Sequence, residues 1–137
     1  PESNMNLASG VAPVNQFIDR GLHVGLATDV AGGSSESMLR AMMHAIQASK
    51  LRWRLLDQSV KPLSFERAFY LATMGGGQFF GKVGSFLDGY ELDAVVLDDS
   101  ALEHPQPLSA RSRLERMVYL ADERNIAAKF VAGRKIL

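Results

Sequence analysis

Apolar positions along this chain recur first at helical spacing and later at strand spacing. Val11, Val14, Phe17 and Ile18 share one helical face, and Gly21 follows where a C-terminal cap belongs. The pattern predicts a short helix over about 12–20, with Pro13 in its first turn. The run His23-Val-Gly-Leu-Ala27 is bounded by Gly21 and by the polar pair Thr28-Asp29, which is how a strand buried on both faces reads, with Asp29 at its far end. Gly32 and Gly33 break the chain, and Ser34 or Ser35 offers an N-cap. Met38, Leu39, Met42, Ala45 and Ile46 then mark one face of a helix over about 36–51. Residues 52–62 read as a polar connection ending at Pro62. Ser64 caps a further helix carrying Phe65, Ala68, Phe69 and Leu71 to about 72; Gly75-Gly76-Gly77 interrupts it, and a short helix around 78–80 ends at Gly81.

From Val83 the texture changes. Gly84, Asp88 and Gly89 are turn residues, and Leu92–Leu97 is an apolar strand stopped by Asp98-Asp99. Pro105 and Pro107 mark a loop, and Ser109 caps an amphipathic helix with Leu114, Met117, Val118 and Leu120. Two strands, 126–132 and 135–137, flank Gly133. A boundary near 82 separates an alternating helix and strand series, the signature of an α/β fold, from a small β unit with one helix.

Composition narrows the function classes. At 137 residues the chain has one domain's length, and its 15 basic and 15 acidic residues leave no basic stripe for nucleic acid. Cysteine is absent, which excludes disulfide frameworks, thiolate metal sites and Cys nucleophiles. No apolar run approaches the ~20 residues that span a bilayer, so a cytoplasmic protein without membrane partners is expected. The chain begins Pro1-Glu2-Ser3-Asn4, with neither initiator Met nor signal sequence, and reads as part of something longer.

One residue stands out chemically. Asp29 directly follows a short apolar strand and precedes a glycine pair, a position at the carboxyl edge of a sheet or barrel where α/β enzymes put catalytic groups. A carboxylate there can ligate a metal or accept a proton; it can equally cap a helix or a turn, and spacing leaves both readings open. His23, His44 and His104 lie 21 and 60 residues apart and form no ligand pair. The Gly75–Gly77 run lacks the Lys-Ser/Thr of a phosphate cradle and reads as a helix break. Met38, Met42, Met43 and Trp53 read as a core face with an adjacent aromatic, and Arg111, Arg113, Glu115 and Arg116 as a solvated helix face.

Several of these runs carry a resemblance. Gly21-Leu-His-Val-Gly-Leu-Ala-Thr-Asp-Val-Ala-Gly-Gly33 resembles the eighth-strand motif of the guanine deaminases in the amidohydrolase superfamily, and Pro1-Glu-Ser-Asn4 resembles the Pro-x-Ser-Asn that ends their seventh strand. Leu71-Ala-Thr-Met-Gly-Gly76 is similar to their helix-breaking Ala-Thr-x-Gly-Gly. The segments 84–97 and 131–135 are similar to the closing strands of their small β-sandwich domain, and Leu120-Ala-Asp-Glu-Arg-Asn-Ile126 to their Leu-Gly-Asp-Asp-Arg-Asn-Ile. The resemblance covers essentially the whole chain.

It implies the last strands and helices of a (β/α)-barrel in residues 1–82, followed by part of a small β-sandwich domain with one helix in 83–137. The implied parent is a zinc-dependent hydrolase converting guanine and water to xanthine and ammonia. Asp29 corresponds to the carboxylate that touches the metal and shuttles a proton, and Asn4 to a residue near the purine substrate, although an Asx turn is an equal reading of Asn4. The family's His-x-His pair, later His ligands and catalytic Glu precede the seventh strand, so the resemblance implies a chain that alone holds no zinc and is inactive. Ala27 in place of Gly, and Phe79-Phe80 where small residues are usual, leave room for another aminohydrolase or chlorohydrolase of nitrogen heterocycles. A stand-alone, non-catalytic module derived from such an enzyme is the reading from a different class. Uncovered apolar strand edges lead to an expectation of either self-association, as a homo-oligomer, or a loose fold.

Overall fold

The computed structural model describes residues 1–137. Its elements are α1 (Glu2–Asn6), α2 (Val14–Asp19), α3 (Met38–Leu55), α4 (Phe65–Tyr70) running into a π-helical turn (Leu71–Gly75), β1 (Ala94–Leu97), α5 (Ala110–Leu120), a 3-10 turn (Glu123–Asn125), β2 (Ile126–Val131) and β3 (Arg134–Lys135).

Three helices start where short polar side chains satisfy free backbone donors. The hydroxyls of Ser37, Ser64 and Ser109 accept from the amides of Arg40, Arg67 and Ser112. The cap of α3 is therefore Ser37, a little beyond the Ser34 or Ser35 that the pattern suggests. This helix also runs past 51 to Leu55, because Lys50, Leu51, Arg52 and Arg54 are good helix formers even after the apolar stripe has ended. Beyond α4 the chain does not break at its glycines. Thr73 Oγ1 donates to the Phe69 carbonyl at 2.8 Å, competing with the backbone ladder, and the turn widens through Gly75 instead of stopping. The short helix expected at 78–80 is a pair of turns, with Phe79 and Phe80 amides bonded to the Gly76 and Gly77 carbonyls.

The strand expected at His23–Ala27 belongs to no ladder. Its burial alternates: Val24 and Leu26 are half-buried against the core, whereas His23, Gly25 and Ala27 are exposed. Leu26 N–H donates to the Leu71 carbonyl at 2.9 Å, so this segment leans on the π turn, and no strand of this chain lies beside it. The run Pro1-Glu-Ser-Asn4, expected as a strand end, opens α1.

The three strands form one antiparallel sheet in the order β1-β2-β3, with a register irregularity between Val96 and Leu97. The β2–β3 hairpin turns through Ala132 (φ 48°) and Gly133 (φ 76°), the doubly left-handed turn that matches strand twist and explains a glycine there. The fold is thus mixed helix and strand with a small antiparallel sheet.

The core gathers Val14, Met42, Ala45, Ile46, Leu63, Ala68 and Leu71, and α5 adds Val118 from beyond residue 82. Leu63 is 2% exposed, and its amide donates to Ser49 Oγ at 2.8 Å. Leu63→Ala is expected to cost about 2–5 kcal/mol, seen as a lower urea midpoint with an unchanged slope. No helix is long and apolar enough to cross a membrane.

Candidate active site

Asp29 sits at the head of a loop, 29–37, that joins the 23–27 segment to α3. Its backbone is left-handed (φ 52°), a region that Asp tolerates better than most side chains. The Asp29 carbonyl accepts from Gly33 N–H at 2.6 Å, closing a tight turn. A Cβ on Gly33 would lie 2.0 Å from the Thr28 carbonyl oxygen, and one on Gly32 would lie 3.2 Å from Asp29 Oδ2, so the glycine pair lets the chain fold back on itself. The Asp29 side chain is exposed, and since Ser37 caps α3, that task does not fall to Asp29.

Helix α1 packs on this loop. Asn6 Nδ2 donates to the Gly32 carbonyl at 2.8 Å. Glu2, buried although acidic, accepts at Oε1 from Ser34 Oγ and from Ser34 N–H (3.3 Å). Its Oε2 lies 3.0 Å from His44 Nδ1 on α3, a close polar contact without aligned hydrogen-bond geometry. Burial raises the Glu2 pKa, but the Ser34 and His44 contacts outweigh it and hold the carboxyl below the ordinary Glu value. Sequence reading missed Glu2 altogether; the only local signal was an acid at the open position of Pro-x-Ser-Asn.

Asn4 is half-buried, and its Nδ2 donates to Ser9 Oγ at 3.3 Å while its carbonyl accepts from Ser9 N–H at 2.9 Å. The structure therefore brings the run containing Asn4 to the Asp29 loop, with the Asn4 amide engaged locally. His23 is exposed, and His104 Nδ1 bonds the Gln106 backbone in its own loop. Met42 is a core residue, and Arg111 pairs with Glu66 and Glu115.

No group of three or more His, Asp or Glu side chains stands where it could hold a metal ion. The donor set around Asp29 is one carboxylate, short of the roughly three protein ligands of a catalytic zinc site, so these residues alone do not fit zinc. Two surface clefts, of about 550 and 610 Å³, lie elsewhere: one between α3, α4 and α5 near Leu63, Phe65 and Tyr119, the other beside Asn15, Lys61 and Arg67.

The chain belongs to the amidohydrolase family, whose model matches residues 1–136. It is 35% identical over its whole length to the guanine deaminase of Homo sapiens, covering 32% of that protein. In three dimensions it is similar to the guanine deaminase from C. acetobutylicum with bound guanine in the active site (TM-score 0.94, 44% identity, all of this chain and 32% of that one). It is also similar to an adenosine deaminase from Xanthomonas campestris with bound zinc (TM-score 0.81, 27% identity, all of this chain and 30% of that one). The chain thus spans about a third of the length of the relatives it matches.

Proposed function

We propose that this chain is the carboxyl-terminal third of a zinc-dependent guanine deaminase, an enzyme that replaces the exocyclic amine of guanine with oxygen to give xanthine and ammonia. Residues 1–82 would be the end of its catalytic barrel and 83–137 part of its small β domain. The observation that carries this reading is the similarity to guanine deaminases along the full chain, with Asp29 in the Thr28-Asp-Val-Ala-Gly-Gly33 run that resembles their eighth-strand motif. Asp29 is assigned two roles: one metal ligand among several, the others lying in the remaining two-thirds, and acceptor of the proton that the attacking water gives up. Its exposed carboxylate at the head of a glycine-closed turn suits that proton role, which requires a base within hydrogen-bond reach. Asn4 is assigned to substrate binding near Asp29.

The adenosine deaminase neighbour favours a second reading, another aminohydrolase acting on a nitrogen heterocycle, and its lower identity ranks it second. The test is the complete enzyme with guanine. Xanthine and ammonia in equal amounts are expected, while this chain alone should retain no stoichiometric zinc after dialysis and release no ammonia. Turnover of adenine derivatives but not guanine would replace the first reading with the second, and deamination by the 137-residue chain alone would overturn the placement of the ligands.

A further inference from the structure

Helix α1 is only five residues long, too short to hold its shape by backbone hydrogen bonds alone, yet it contains a buried acid. Both oxygens of that acid face another element, and one of them is hydrogen-bonded. One receives the hydroxyl and amide of Ser34, five residues after Asp29 in the loop, and the other faces His44 on the rigid 18-residue helix α3. A buried carboxylate is costly to desolvate, so one with such partners gives the elements around it a specific arrangement. From this juxtaposition we propose that Glu2 is a positioning residue: through Ser34 and His44 it locks the 29–37 loop between α1 and α3, and so sets where the Asp29 carboxylate points.

The inference rests on the catalytic reading of Asp29 for its functional half, and on geometry alone for its structural half. Position 2 is the open position of the Pro-x-Ser-Asn run, so the clamp belongs to this chain's own sequence. The Asn6 bond to the Gly32 carbonyl is a neutral second tie on the same loop. Losing it would free one carbonyl, whereas losing Glu2 frees Ser34 and removes the carboxylate beside His44 Nδ1. The depressed Glu2 pKa agrees with a carboxylate that stays ionised in the clamp.

The test uses the complete enzyme and two readouts. Glu2→Ala is expected to speed amide exchange at residues 33–37 by roughly 10- to 100-fold, the factor for losing a charge-assisted hydrogen bond, while β2 amides keep their protection. kcat for guanine should fall by a similar factor with KM within about twofold, and Glu2→Gln, which keeps an acceptor for Ser34, should recover most of both. Ser34→Ala, at an exposed position that does not threaten folding, should lower kcat alone but add nothing in the Glu2→Ala background. Unchanged loop exchange, loosened exchange with unchanged kcat, or additive effects of the two alanines would each overturn the proposal. If the unsubstituted enzyme releases no ammonia from guanine, the functional reading of Asp29 falls, and the exchange data still decide whether Glu2 holds the loop.

Discussion

Asp29→Asn in the complete enzyme is expected to lower kcat by roughly 10²- to 10⁴-fold, about 3–5 kcal/mol of barrier, with KM changed far less. The substitution keeps side-chain size and one oxygen for a metal but removes the charge and the proton acceptor, so some bound zinc should be lost as well. A capping role would give a different result, because Asn caps about as well as Asp. The structure sharpens that contrast: Ser37 caps α3, and the turn at 29 is closed by the Asp29 backbone carbonyl, which Asn retains. Stability should therefore stay near that of the parent. The measurement is kcat together with metal content and thermal midpoint on the same preparation. A kcat within about threefold of the parent would remove Asp29 from the chemistry.

Gly33→Ala should be the most damaging single methyl group in the loop. Its Cβ would stand 2.0 Å from the Thr28 carbonyl oxygen, a backbone atom that cannot rotate away, and Gly33 itself is buried. Relief requires opening the turn, which breaks the Gly33 N–H bond to the Asp29 carbonyl and carries Asp29 with it. Overpacking of this kind costs about 1–3 kcal/mol or more, and a 1 Å displacement of a catalytic group can cost about 10²-fold in rate. The expected result is a lowered thermal midpoint together with at least a roughly hundredfold loss of guanine turnover. The control is Gly133→Ala, in the β2–β3 hairpin and outside the 29–37 loop: its left-handed backbone makes it cost stability, but no neighbour crowds its Cβ, so turnover should survive. Equal turnover losses at 33 and 133 would mean that the loop turn does not position Asp29.

What could be read from the residues in order was whatever short-range chemistry decides. The Ser64 and Ser109 caps lie where hydroxyls meet free amides, the turn at Gly133 where two left-handed residues close a hairpin, and Asp29 where an apolar run meets a glycine pair. The α3 stripe was visible for the same reason, since its packing face repeats every three to four residues, and its end was not, because residues 52–55 continue the helix without that stripe. Tertiary structure alone decided three things. The glycines after Leu71 continue a helix that packs closely on distant backbone, where a Cβ on Gly75 would lie 3.1 Å from the Val24 carbonyl oxygen and one on Gly77 would collide with the Val83 carbonyl. The 23–27 segment alternates in burial because its single covered face rests on the helical core and the π turn. Five residues at the start form a helix that no periodicity could announce, held through Glu2 by partners 32 and 42 positions away. Contacts over such separations depend on how whole elements pack, and local pattern carries no information about which distant side chain will complete them.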